Sequence, residues 1–266
     1  MPYFASPDGV RLHYKLEGSG PPLVMHLGAG ADSELWRRAG YVEPLAKSYT
    51  CVLFDHRGHG KSDHPTSVEA NHIDRYADDV IALVEHLGYE SVAFLGWSNA
   101  ISVGLRVADK DHKTFDVMVL IGAIAPPRPA AAVEEGTRRR VQEIREKGWW
   151  CILEPMIAAE KYPVPQWFLD SVVVTDTGPW IAFTEARPGW NWEPWDALPG
   201  IATPGLVLAG ELEDPDDVMR DLAAAMPHAA RIRIPERDHI NAFLDSEFVV
   251  PRVLEFLAER TPQATG

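Results

Sequence analysis

The segment Leu95-Gly96-Trp97-Ser98-Asn99-Ala100 has the residue types of a nucleophile held at a sharp strand-to-helix turn. The apolar run Val92 to Leu95 predicts a buried strand before it, and Ile101 to Ala108 predicts a helix after it. A serine at the apex of such a turn sits in a strained backbone conformation, so the residues two before and two after it must be small. Gly96 and Ala100 meet that need, giving Gly-x-Ser-x-Ala. A serine hydroxyl is a weak nucleophile by itself and needs a base, an acid to orient the base, and donors for the oxyanion. Downstream, the acidic loop Glu211-Leu212-Glu213-Asp214-Pro215 follows a strand-like run ending at Gly210. His239 comes shortly after a last predicted strand, Arg231 to Ile234. The order serine, acid, histidine, each on a loop after a strand, is one that supports acyl transfer.

The elements that must position these residues are also visible. Leu23-Val24-Met25, Val52-Leu53-Phe54, Val92 to Leu95, Val117 to Ile121 and Leu206-Val207-Leu208 are short apolar runs bounded by Gly, Asp or Pro. Such runs predict strands buried on both faces. A helix is predicted from about Asp74 to Leu87, where Val80, Ile81, Val84 and Leu87 repeat at helical spacing and Gly88 stops it. Alternating strands and helices imply a mostly parallel central sheet flanked by helices. Val10 to Glu17 alternates as an edge strand would, and an amphipathic helix through Val249, Val253, Phe256 and Leu257 closes the chain. The alternation breaks at Pro126-Pro127-Arg128-Pro129 and resumes after Pro199 to Pro204. Residues 127–199 are therefore expected to form an inserted helical cap on a core of residues 1–126 and 200–266. Seven of the nine tryptophans fall in that insertion.

Composition narrows the function classes. At 266 residues, 46% hydrophobic and 24% charged, the chain can bury a substantial core. A net charge of -14 argues against nucleic acid and anionic membrane surfaces, which require a positive field. The expected partner is a small-molecule substrate. Met1 to Pro7 has neither a basic nor an apolar leader region, so the expected location is cytoplasmic. Cys51 and Cys151 read as core thiols.

Together these motifs resemble the α/β-hydrolase superfamily over nearly the whole chain. Leu27-Gly28-Ala29-Gly30 followed by Trp36 is similar to the family's oxyanion loop, with Leu27 where His is commoner. The resemblance implies backbone donors at Ala29 and at Asn99, the residue after the nucleophile. Asp55-His56-Arg57-Gly58-His59-Gly60-Lys61-Ser62 is similar to a turn that is structural in those relatives, and the terminal strand, loop, His239 and helix with Phe243 complete the likeness. Gly96-Trp97-Ser98 also resembles the serine turn of valacyclovir hydrolase-like enzymes, which continue Asp-Gly-Gly where this chain has Asn-Ala. Family spacing selects Glu213 as the acid, three residues after Gly210. The frequent Asp-Pro pairing selects Asp214, the preferred of the two. The implied activity is a serine hydrolase acting on carboxylic esters or lactones of small apolar or aromatic molecules, without a cofactor. In this fold the same residues also serve carbon-carbon bond hydrolysis and perhydrolysis, and a weakly catalytic small-molecule receptor is the competing class.

Other patterns in the chain fit their motifs less completely. Gly28-x-Gly30 with Asp55 mimics a dinucleotide fingerprint, but Ser33 occupies the third glycine position and Asp32 adds negative charge. Gly60-Lys61-Ser62 lacks the first glycine of a phosphate loop. His26, His56, His59 and His64 show no zinc-ligand spacing, so no metal is expected. Arg138-Arg139-Arg140 reads as a solvated helix face rather than an anion clamp. The inserted tryptophans either pack as a core or line an apolar pocket above Ser98, with Trp97 and Trp150 as the pocket candidates.

Overall fold

The computed structural model describes residues 2–172, 176–214 and 216–260; Pro215 of the acidic loop lies outside them. One sheet is built from β1 (Tyr3–Ala5), β2 (Arg11–Glu17), β3 (Pro22–His26), β4 (Thr50–Phe54), β5 (Val92–Trp97), β6 (Phe115–Ile121), β7 (Gly205–Gly210) and β8 (Ala229–Ile234). Their spatial order is β1-β2-β4-β3-β5-β6-β7-β8. β1 to β2 and β2 to β4 are antiparallel, and every other neighbouring pair is parallel. This is the α/β-hydrolase fold. β2 lies inside the sheet rather than at its edge, because Tyr3–Ala5 pairs along its outer side. Three residues carry no usable periodicity, which hid β1 in the sequence.

The apolar runs fold as strands because alternate side chains enter two separate cores. Leu23 and Met25 of β3 join the cluster containing Trp36, Trp97 and Phe243 on one face. Val24 joins Phe54, Phe94 and Val80 on the other. The helix Ile73–His86 covers that second face through Ile73, Tyr76, Ala77, Val80, Leu83 and Val84. Ala100–Lys110, the helix after the serine, packs beside it.

Register brings the strand ends together. His26 of β3 aligns with Gly96 of β5, Trp97 with Ile121 of β6, Ile121 with Leu208 of β7, and Gly210 with Ile234 of β8. The loops holding Ala29, Ser98, Ala123, Glu213 and His239 therefore leave the same edge, the usual location of sites in parallel sheets.

Between β6 and β7 the described residues contain helices and no strand: Ala130–Lys147, Trp150–Ala159, Gln166–Ser171, Gly178–Ala186 and Pro194–Ala197, with short 3-10 turns. These elements close over the loops at the sheet edge. A Cβ added at Gly30 would lie 2.7 Å from the Trp149 ring, and one at Gly58 would lie 2.7 Å from Pro179. The close approach of Trp149 also fills the space that a pyrophosphate would need at Gly30. No helix among the described residues is long and apolar enough to cross a membrane.

The motif from Asp55 to Ser62 is held by buried charge. Arg57 is fully buried and donates to Asp79 at 2.7 and 2.6 Å, to Asp8 at 2.8 and 3.1 Å, and to the Ala70 carbonyl at 2.6 Å. Removing one partner of such a pair strands the other charge away from water. Arg57→Met is expected to destabilise the fold by about 3–5 kcal/mol in urea denaturation. Arg57→Met with Asp79→Leu should recover part of that loss, because no buried carboxylate is then left alone.

Candidate active site

Ser98 sits at φ +61°, in the left-handed region that ordinary residues avoid. The turn is closed from both sides. Ser98 N–H donates to the Ile121 carbonyl at 2.9 Å, and Ile101 N–H donates back to the Ser98 carbonyl at 2.9 Å. A Cβ at Gly96 would lie 2.7 Å from the Phe94 ring and 3.1 Å from the Ala100 Cβ, which explains why both flanking residues are small. Gly28 presses against the turn from β3. Its missing Cβ would lie 2.7 Å from the Ser98 Cβ and 3.1 Å from the Asn99 nitrogen.

The exposed hydroxyl meets an imidazole contributed 141 residues downstream. His239 Nε2 lies 3.0 Å from Ser98 Oγ, and Nδ1 lies 2.5 Å from Glu213 Oε1. Glu213 is itself fixed by the N–H of Ala123 at 2.8 Å and that of Gly210 at 3.4 Å. Gly122, at φ +108°, allows the close approach: a Cβ there would lie 3.3 Å from the imidazole and 3.5 Å from the carboxylate.

The acid preferred from the sequence, Asp214, is engaged elsewhere. Its carboxylate is buried and accepts from the N–H groups of Val218 at 2.7 Å and Met219 at 2.9 Å, where the helix Val218–Ala225 begins. Consecutive residues of the loop point in different directions, so Glu213 reaches the imidazole while Asp214 satisfies orphan donors at a helix start. Asp214 marks the beginning of that helix rather than the partner of His239.

Charge distribution follows from these contacts. Burial alone would depress the His239 pKa, but the charge of Glu213, its hydrogen bond and a further contribution from Glu160 hold it above the ordinary 6.5. For Glu213, burial pushes upward, while His239 and the backbone donors of Ala123 and Gly210 hold the carboxyl below its usual range.

The loop after β3 rests on stacked histidines. His26 and His56 have ring centroids 4.8 Å apart, and His56 and His59 3.8 Å apart. Gly30 N–H donates to His59 Nε2 at 2.9 Å, so that nitrogen is unprotonated and Nδ1–H faces the Arg57 carbonyl at 3.2 Å. Burial lowers His26 and His59 to about 4 and keeps the rings neutral. Among the described residues the N–H groups of Ala29 and Asn99 donate to no partner.

Neither pocket candidate lines the cavity beside Ser98. Trp97 is buried, stacked on His239 at 5.2 Å and on Phe243 at 4.2 Å, and so forms a floor beneath the imidazole. Adjacent strand residues alternate in direction, and Trp97 faces the core. Trp150 is 48% exposed on the outer side of its helix. Of the other inserted tryptophans, Trp149 and Trp190 are buried, with Trp149 edge-on to Trp180 at 5.1 Å.

One contributor escaped sequence reading altogether. Glu160, at the end of the inserted helix Trp150–Ala159, accepts from the N–H groups of Ile240 at 2.6 Å and Asn241 at 3.0 Å, and from Asn241 Nδ2 at 2.7 Å. It anchors the first turn of the helix His239–Leu244 and hence the imidazole. No spacing rule links Glu160 to residues 80 positions away.

Two pH effects are expected. In a magnetic-resonance titration His239 should titrate above 6.5, and Glu213→Gln should lower that pKa by removing the carboxylate charge. For His26 and His59 the sign is opposite. Between about pH 6.5 and 4 the unfolded chain takes up protons that the folded rings refuse, so stability falls as pH falls through that window. The melting temperature of His59→Asn should depend less steeply on pH there than that of the natural chain.

Comparison with known proteins agrees with this architecture. The α/β hydrolase fold family profile matches residues 21–147. A non-heme haloperoxidase of Rhodococcus erythropolis is 34% identical over 128 residues, covering 47% of this chain and 45% of that protein. The chain thus spans less than half the length of the first curated relatives it matches. The putative non-heme bromoperoxidase BpoC of Mycobacterium tuberculosis is 25% identical, over 94% of this chain and 98% of its own. A thermophilic esterase from Thermogutta terrifontis superposes with a TM-score of 0.83 at 22% identity, covering 97% of this chain and 98% of that one. The profile matches the part that carries Ser98, and the backbone shared along nearly the whole length shows the α/β-hydrolase fold.

Proposed function

We propose that the chain is a serine hydrolase that cleaves carboxylic esters or lactones through an acyl-enzyme. The observation that carries this reading is the continuous hydrogen-bonded line from Ser98 Oγ through His239 to Glu213 Oε1. His239 Nε2 takes the hydroxyl proton as Ser98 Oγ bonds to the substrate carbonyl carbon. Glu213 holds the Nδ1 proton in place and stabilises the imidazolium that forms. The negative charge on the carbonyl oxygen is received by the N–H groups of Ala29 and Asn99, which are held ready beside Gly28. The tetrahedral species collapses when the C–O bond to the leaving group breaks and His239 protonates that oxygen. Water then adds to the acyl carbon, giving its proton to His239, and Ser98 leaves with a proton returned from Nε2.

A second reading is favoured by the haloperoxidase names of two relatives. Hydrogen peroxide in place of water at the deacylation step would yield a peracid with the same residues. Adding peroxide during ester turnover separates the two, since only perhydrolysis accumulates peracid.

Ser98→Ala is expected to reduce turnover of an aryl ester by at least about 10⁴-fold while the fold is retained. A fluorophosphonate should label the natural chain stoichiometrically at Ser98; poor labelling would favour a receptor over an enzyme. Glu213→Gln should lower kcat by about 10³–10⁴-fold. Asp214→Asn should leave kcat within a few fold and instead lower stability by about 1 kcal/mol, the usual scale of a weakened helix cap. The reverse outcome for these two carboxylates would reject the assignment of the acid.

A further inference from the structure

Four arginines, Arg128, Arg139, Arg140 and Arg187, border the cavity of about 340 Å³ that opens beside Ser98, and Glu193 is the one carboxylate among its described lining residues. Such a concentration of positive charge runs against the chain as a whole, which carries a net -14. The run Arg138-Arg139-Arg140, expected to be a solvated face, is exposed at all three positions, and the helix gives its members different neighbours. Arg138 points outward and pairs with Glu135 at 2.8 Å, and Arg145 of the same helix pairs with Glu185 at 2.7 Å. Arg139 and Arg140, while exposed to solvent, border the cavity, and none of the four cavity arginines forms an ion pair with a described residue. Arg187 lies over the Trp190 ring at 4.9 Å and within electrostatic reach of both Arg128 and Glu193.

Like charges gathered around one cavity repel each other, and a bound anion relieves that repulsion while accepting forked hydrogen bonds from guanidinium groups. Ile124 and Val133 add apolar surface to the same cavity lining. We infer that the substrates are esters or lactones with an apolar body and an anionic group, carboxylate or phosphate, held by these arginines at a distance from the scissile carbonyl. This rests on the serine-hydrolase reading for the chemistry, but the anion site stands on the arginines alone. Of the two alternatives for the inserted tryptophans, the apolar aromatic pocket is not the one this cavity offers, because no tryptophan is among its described lining residues.

The test compares matched ligands. The 4-nitrophenyl hemiester of glutarate should be turned over with a kcat/KM at least about tenfold above that of 4-nitrophenyl valerate at low ionic strength, an advantage that shrinks as salt screens the charges. Arg139→Gln with Arg140→Gln should bring the ratio towards one, whereas Arg138→Gln should retain it. A 4-phosphonobutyrate ester in the same series shows whether carboxylate or phosphate is the better anion. Binding is read independently of turnover with glutarate monoanilide and valeranilide by calorimetry. Tighter binding of the anionic anilide, lost in the double variant, supports the anion site even if Ser98 fails to react with a fluorophosphonate, a failure that would count against the serine chemistry only. Equal binding of the two anilides overturns the inference.

Discussion

The imidazole of His239 joins two halves of the chain that have no local reason to meet, and the surrounding structure is arranged to hold it there. Ser98 approaches it from the end of β5 and Glu213 from the end of β7. Trp97 lies beneath the ring, and Glu160 fastens the helix that begins at His239. A hydrogen bond of 3.0 Å between Nε2 and Oγ leaves little freedom, so the backbone at both ends must be rigid. At Ser98 the left-handed conformation costs roughly 1–3 kcal/mol and survives because neighbouring strands and tightly approaching glycines leave no relaxed alternative.

Rigid supports extend outward from this point. Gly28 touches the serine turn, Gly30 hangs from His59, and the neutral rings of His56 and His59, within the Asp55 to Ser62 turn that Arg57 anchors, pack with that of His26. The proposed oxyanion donors thus depend on a buried ion pair and on stacked rings that carry no charge. Polar groups are used here for position rather than reactivity, and their burial keeps them in a single protonation state.

The helical insertion has two roles in the geometry. Its apolar residues, Trp149, Phe168 and Trp190 among them, complete the cores above the sheet edge. Its cationic residues border the cavity beside Ser98, so the recognition proposed for that cavity belongs to the insertion while the bond-making residues belong to the sheet loops. The proposed reaction and the proposed recognition thus draw on different parts of the chain, and fold alone says nothing about the second.

Local patterns determined the parallel sheet, the serine turn and the serine, acid, histidine order, because strand burial and small flanking residues leave marks within a few positions of one another. β2 was legible as a strand but not as an interior one, since its outer neighbour is only three residues long. Tertiary structure alone decided between Glu213 and Asp214: both are acidic and adjacent, and only the direction of the loop relative to His239 and the helix Val218–Ala225 separates them. It also decided that Trp97 is a floor and Trp150 a surface residue, that Glu160 secures the histidine, and that the exposed Arg139 and Arg140 border the cavity while Arg138 pairs with Glu135 away from it. Those are questions of orientation between distant segments, and residue type and spacing along the chain do not encode which way a side chain points across a fold.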